Sequence, residues 1–193
     1  MKLIVGLGNP EAQYAWTRHN IGKGVVNELG KHFSIRNRAD WKNRPKFKSE
    51  ILEIHMPEKE EPIWIVKPTP HMNESGLSVS ALVNFYEVNP NDLLVVYDEL
   101  DLEVGEYKLM EGKGSRIHNG IQSIKKGLPA RFENLWQLRV GVRDPKISGS
   151  VQKSGRDPAK YVLGKFSVSE KKKVEKEIQS AIIPEIISWL SKK

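Results

Sequence analysis

The chain has no cysteine among its 193 residues. Disulfides, thiolate nucleophiles and cysteine-bound zinc are therefore excluded. No apolar run reaches the roughly 20 residues that a membrane-crossing helix needs. The opening residues, Met1-Lys2-Leu3-Ile4-Val5, run directly into a glycine turn. They lack the apolar core of a secretory signal and read as a first strand, so the expected compartment is the cytoplasm. No His-Glu-x-x-His pattern occurs, which removes the commonest helical zinc site.

What is present fits one domain spanning residues 1–193, long enough to bury a core unaided. A hydrophobic fraction of 38% and a charged fraction of 28% are those of an ordinary globule. The net charge of +7 suits a polyanionic partner, although much of the excess lies in the tail, at Lys171, Lys172, Lys173, Lys176, Lys192 and Lys193. Such a cluster equally serves to solvate a helix face.

Apolar patterning gives strands over Lys2–Val5, Ile51–Met56, Ile63–Lys67, Leu93–Tyr97, Gly105–Met110 and Trp136–Val142. Leu93–Tyr97 is continuously apolar, the mark of a central strand covered on both faces. The charged turn Glu58-Lys59-Glu60-Glu61-Pro62 separates the second and third strands. Helical spacing predicts helices over Thr17–Leu29, stopped by Gly30, and over Ser75–Tyr86 and His118–Leu128. A last helix starts near Ser169, with Val174, Ile178, Ala181 and Ile182 as its stripe and Pro184 as a kink or break. Ser148–Arg156, polar and rich in small residues, reads as a mobile loop. Alternating strands and helices predict a single-domain three-layer α/β/α sandwich around a twisted, mostly parallel mixed sheet.

Each candidate motif has a plain structural reading beside its functional one. Gly6-x-Gly8 after a strand resembles a dinucleotide turn, but the third glycine position holds Glu11 and Pro10 breaks the helix entry. Its simpler use is to relieve crowding at a strand end and to expose Asn9, where open α/β sheets place ligands. Gly112-Lys113-Gly114-Ser115 lacks the remaining phosphate-loop residues and reads as a flexible basic turn. Asp98 and Glu99 follow the central strand and should face opposite ways, so one working carboxylate, Asp98, is expected rather than a metal pair. Of the histidines, His32 and His55 are surface or half-buried residues, His71 is a pocket or stacking candidate, and His118 heads a helix as a cap. His19 is the candidate base, flanked by Arg18 and Asn20. Asn73 is a polar site residue or a helix cap.

These pieces, in this order, resemble the bacterial type of peptidyl-tRNA hydrolase. The resemblance runs from Lys2-Leu3-Ile4-Val5-Gly6-Leu7-Gly8-Asn9-Pro10 through Thr17-Arg18-His19-Asn20, Met72-Asn73, Asp98-Glu99-Leu100-Asp101 and His118-Asn119-Gly120. It continues through Leu138-Arg139-Val140-Gly141 to Tyr161-Val162-Leu163-Gly164-Lys165-Phe166. It implies a cofactor-free, monomeric, cytoplasmic enzyme that cleaves the ester between a peptide and the 3′ ribose of tRNA. By position, His19 would be the base and Asp98 its orienting acid. Asn9, Asn73 and Asn119 would hold the peptide backbone and the attacking water. Tyr14, Met72 and His118 would belong to the substrate site, and Lys108 and Arg139 would meet the acceptor stem.

Some positions depart from that family's pattern. Glu11 stands where glycine is common, Pro70-His71 where Thr-Tyr or Thr-Phe is usual, and Arg116-Ile117 where a pair of small residues is usual. Met110 replaces a second basic residue, and Arg143-Asp144-Pro145 replaces Gly-Arg-Pro. The readings that compete with the hydrolase are a non-catalytic RNA-binding relative of the same fold and a nucleotide-cofactor enzyme using the first glycine turn.

Overall fold

The computed structural model describes residues 1–37, 40–57, 59–112, 115 and 117–191. Glu58 of the charged turn, Lys113 and Gly114 of the basic turn, Arg116, Lys192 and Lys193 lie outside the described residues. The strands are β1 (Lys2–Gly6), β2 (Lys42–Arg44), β3 (Ser49–Ile54), β4 (Ile63–Pro68), β5 (Leu93–Glu103), β6 (Tyr107–Gly112) and β7 (Leu135–Arg143). The helices are α1 (Ile21–Asn37), α2 (Ser75–Phe85), α3 (Asn119–Gly127), α4 (Pro158–Leu163), α5 (Val168–Glu177) and α6 (Ile183–Ser191). The sheet order is β2-β3-β4-β1-β5-β7-β6. The central strands β4, β1, β5 and β7 run parallel, and the pairings outside them are antiparallel.

Strand alternation sends side chains to two separate cores. Ile4, Ile65, Leu94, Val96 and Leu138 pack against Val25, Val26 and Leu29 of α1 and Ile186 and Trp189 of α6. Leu3, Val5, Val66 and Val95 pack against Val79 and Leu82 of α2 and Ile121 and Ile124 of α3. The result is the expected three-layer α/β/α arrangement, with helices covering both faces of the parallel strands.

The boundaries differ from expectation in instructive places. Residues Arg18–Asn20 form a 3-10 turn, and α1 begins only at Ile21. Nor does Gly30 stop the helix. It sits where α1 approaches its neighbours closely: a Cβ there would lie 3.1 Å from Leu52 and 3.2 Å from Trp41. Strand β6 begins after Gly105, which occupies a left-handed turn at φ +92°. The helix before Pro184 does not break. Proline lacks an N–H, and the helix absorbs the lost bond with a π turn over Ile178–Ile182, closed by Ile183 N–H donating to Ile178 O. The chain thus runs from α5 into α6 with Ile178, Ile182, Ile183 and Ile186 buried. Strand β2 and helix α4 had no counterpart in the sequence reading. Yet Asp157-Pro158 is a cap followed by a first-turn proline, a readable helix start. Residues 148–156, expected as a mobile loop, contain no helix or strand but a hydrogen-bonded turn over 151–155, with Val151 buried.

Candidate active site

The site lies at the carboxyl ends of β1, β4 and β5, on either side of β1, where chain connections leave the sheet in opposite directions. Here α1 crosses β1 very closely. A Cβ on Gly6 would sit 2.4 Å from Gly22 O, and one on Gly22 would sit 2.3 Å from Val96 O. The first glycine turn therefore serves helix–strand approach rather than a phosphate. That approach brings the Arg18–Asn20 turn beside the strand ends.

Asn9 is fixed on three sides. Its N–H donates to Asn20 Oδ1 at 2.9 Å, its carbonyl accepts from Asn20 Nδ2 at 2.9 Å, and its Oδ1 accepts from the Met72 N–H at 2.9 Å. With Oδ1 committed, the Asn9 amide NH₂ is the group left for the cleft. Arg18 performs a structural task that the sequence reading missed. Its guanidinium donates to Val142 O, Gly164 O, Lys165 O and Glu170, and stacks on Tyr161 and Phe166. It ties the histidine turn to the end of β7, to α4 and to the start of α5. Burial raises the Glu170 carboxyl's pKa, but bonds from Ser167 and from Arg18 outweigh that and hold it down.

His19 Nδ1 lies 2.8 Å from Asp98 Oδ1, and His118 Nε2 lies 2.9 Å from the same oxygen. All three residues are buried. His118 caps α3, with its Nδ1 accepting from the Ile121 N–H. That bond leaves Nδ1 unprotonated and puts the ring proton on Nε2, facing Asp98. Asp98 accepts both ring protons, so His19 carries its proton on Nδ1 and turns a bare Nε2 away from the carboxylate. Burial opposes charge on His19, but the Asp98 charge and hydrogen bond outweigh it and raise the imidazole's pKa above the ordinary value. Burial also opposes charge on Asp98, yet the two histidines hold its carboxyl well below the usual range. The three donor atoms lie within 4.8 Å of one another, the spacing of a metal site. A cation there would compete with the two ring protons for the Asp98 oxygen.

A cleft of about 570 Å³ opens over His19. Asn9, Met72, Asn73, Asp98, His118 and Asn119 line it, so these expected site residues converge. Tyr14 does not line it; that residue closes a short 3-10 turn, Ala12–Tyr14, ahead of the histidine. The far wall, unforeseen from sequence, is the α4 face Pro158, Ala159, Val162 and Leu163, with Gln152 beside it. Glu99 also reaches the cleft but is bound by Arg139 at 3.2 Å, away from the Asp98 pairings. Lys108 and Arg139 face each other across β6 and β7, so they share one surface at the sheet edge.

A family model described as "Peptidyl-tRNA hydrolase" matches residues 3–192. The chain belongs to the peptidyl-tRNA hydrolase family. Curated relatives carrying that name include one from Glaesserella parasuis, 37% identical over 94% of this chain and 86% of the relative. Another, from Chlamydia trachomatis, is 34% identical over 98% of each. The crystal structure of peptidyl-tRNA hydrolase from Acinetobacter baumannii aligns with a TM-score of 0.78 at 32% identity, over 94% of this chain and 85% of that one. No helix among the described residues is long and apolar enough to cross a membrane.

Set against the family pattern, two of the departures meet. His71 Nε2 lies 3.2 Å from Glu11 Oε1, so the residue standing for glycine pairs with the one standing for an aromatic. This pair links the same two loops as the Asn9–Met72 bond. It lies at the exposed margin, and His71 is outside the cleft lining.

Proposed function

We propose that this protein hydrolyses the ester joining a peptide to the 3′-terminal ribose of tRNA, as a single-domain cytoplasmic monomer using no metal and no covalent intermediate. The observation that carries the reading is the bare Nε2 of His19, held by the Asp98 carboxylate beneath a cleft lined with asparagine side chains. Membership of the family supports the substrate class.

Neutral His19 takes a proton from a water through Nε2 as that water attacks the ester carbonyl carbon. Asp98 keeps the proton on Nδ1 and stabilises the imidazolium that forms. The Asn9 amide, with Asn73 and Asn119, holds the water and peptide and meets the negative charge developing on the carbonyl oxygen. Collapse breaks the bond to the ribose oxygen, which takes its proton from the His19 imidazolium. The products are a peptide carboxylate and free tRNA. Lys108 and Arg139 contact phosphates of the acceptor stem.

The test is hydrolysis of an N-acetylaminoacyl-tRNA, with the unblocked aminoacyl-tRNA as control. The blocked ester should be cleaved and the unblocked one spared. His19→Ala should lower kcat by about 10²–10⁴-fold. Tight RNA binding without turnover of the blocked ester would instead support a non-catalytic relative.

A further inference from the structure

The cleft has two chemically different sides. His19, Asp98 and His118 form its buried polar base, and Asn73 and Asn119 are exposed at its mouth. Its apolar lining comprises Leu100 and the buried Val162, with Ile117 and Leu163 exposed at the mouth. Ile117 is 65% exposed and Leu163 is 44% exposed, among the few large apolar side chains so open to solvent. Pro158 and Val162, and likewise Ala159 and Leu163, are spaced by four and share one face of α4. That stripe is turned to the cleft, while Tyr161 packs on Arg18. Exposed apolar groups gathered around a polar reacting centre mark a surface that gains by being covered.

Charge narrows what covers it. The described residues lining the cleft include Asp98, Glu99 and Asp157 and no lysine or arginine. With Glu99 already paired to Arg139, the charge of Asp98 and Asp157 disfavours phosphate inside the cleft, so the terminal ribose enters while the stem phosphates stay on the side of Lys108 and Arg139. An acidic peptide side chain is disfavoured for the same reason.

We infer that Ile117 and Leu163 form a selectivity rim that favours peptidyl esters whose last residue carries a large apolar side chain and disfavours those ending in an acidic one. The inference rests on the hydrolase reading and deepens it. A methylene in an enclosed apolar pocket is worth about tenfold or more in selectivity, and an open rim gives a smaller, several-fold effect.

The experiment holds one tRNA body constant and varies the ester: N-acetyl-leucyl, N-acetyl-alanyl and N-acetyl-aspartyl. For the parent, kcat/KM for leucyl should exceed aspartyl by about tenfold or more, with alanyl between them. Ile117→Gly and Leu163→Ser should each shrink the leucyl-to-alanyl ratio several-fold, and Ile117→Leu should keep it. Ratios unchanged in both variants, with hydrolysis intact, would overturn the rim while leaving the hydrolase reading in place. A parent inactive on every ester would overturn the hydrolase reading instead. Methyl NMR then tests the rim separately: Ile117 and Leu163 should shift with N-acetyl-leucinamide and not with N-acetyl-aspartamide, and equal or absent shifts for both would remove it.

Discussion

His19 and His118 donate to one and the same oxygen of Asp98, at 2.8 and 2.9 Å, with their rings 4.9 Å apart. Only His19 has a second nitrogen free, because the α3 cap occupies the second nitrogen of His118. In the proposed mechanism the two rings therefore divide the work, one as base and one as a fixed donor that helps to keep Asp98 ionised. The consequence is a pH signature. Protonated His19 cannot accept a proton, so activity falls as pH drops through its pKa, which is raised above the ordinary value near 6.5. The acid limb of kcat/KM should lie above that value. Asp98→Asn removes the attraction but leaves the burial, which favours the neutral ring. The limb should then move to lower pH, while kcat falls by about 10²–10⁴-fold because the tautomer is no longer enforced. A profile of kcat/KM from acid to mildly alkaline pH reads both effects. A limb that does not move would remove Asp98 from the control of His19.

Asn20 never reaches the cleft lining, yet it holds the main chain of Asn9 through both of its amide atoms. Asn20→Ala should cost about 1–3 kcal/mol of stability, the usual loss when buried polar partners are left without each other. It should also lower kcat by more than it changes KM, because the Asn9 amide is displaced from a charge that develops only in the transition state. Urea unfolding together with steady-state kinetics separates the two losses. A variant with parental kcat would show that Asn9 is held by the Met72 contact alone.

Parts of this architecture were legible in the sequence for a simple reason. Leu93–Tyr97 is apolar without interruption, so its place in the middle of a parallel sheet follows from burial on both faces. His19 and Asp98 were legible as a pair only through the ordered motifs, since nothing local joins positions so far apart in the chain. Arg18 was illegible: its partners Val142, Gly164, Lys165 and Glu170 are contributed by the last third of the chain, and three of its four side-chain bonds go to backbone carbonyls while the fourth depends on where α5 begins. The π turn before Pro184 was illegible for a different reason. Proline announces a missing bond, but whether a helix breaks or bulges depends on the burial waiting beyond it, here Ile186, Trp189 and Leu190. The α4 wall was missed although Asp157-Pro158 advertised it, because six residues give too little periodicity to read.

Lys23 carries a stability prediction. It lies in the first turn of α1, its stem packs over Gly8, and among the described residues it has no carboxylate within ion-pair distance. Glu50 is held by Lys67 and Glu11 by His71. Burial, with Lys67 nearby, lowers the Lys23 pKa to about 8 despite the attraction of Glu50 and Glu11. The unfolded chain has an ordinary lysine near ~10.4, so between these values it binds more protons than the native state, and native stability rises with pH across that window. Below it, the charge is present in both states and its burial is a standing cost. Lys23→Met should therefore raise Tm at pH 7, and the gain should shrink as pH approaches 10. Thermal unfolding at the two pH values measures it. A loss of stability at pH 7 would mean that Lys23 has a compensating partner.

Lys108 and Arg139 share a surface but not a state. Lys108 is exposed, whereas the Arg139 guanidinium is bonded to Glu99 at 3.2 Å and to Gln137 at 3.2 Å. Its Nε is buried without a partner among the described residues. A phosphate meeting Lys108 displaces condensed counterions in full, so Lys108→Ala should weaken tRNA binding and reduce the salt slope by about one unit. Arg139 has to share its charge with Glu99, so Arg139→Ala should reduce the slope by less than one unit. It also leaves the Glu99 carboxylate without its partner, and stability should fall by about 1–3 kcal/mol, a loss Lys108→Ala does not incur. Filter binding of tRNA across a salt series, paired with urea unfolding, distinguishes the two residues. Equal slopes for both variants and the parent would send the acceptor stem to another face of the molecule.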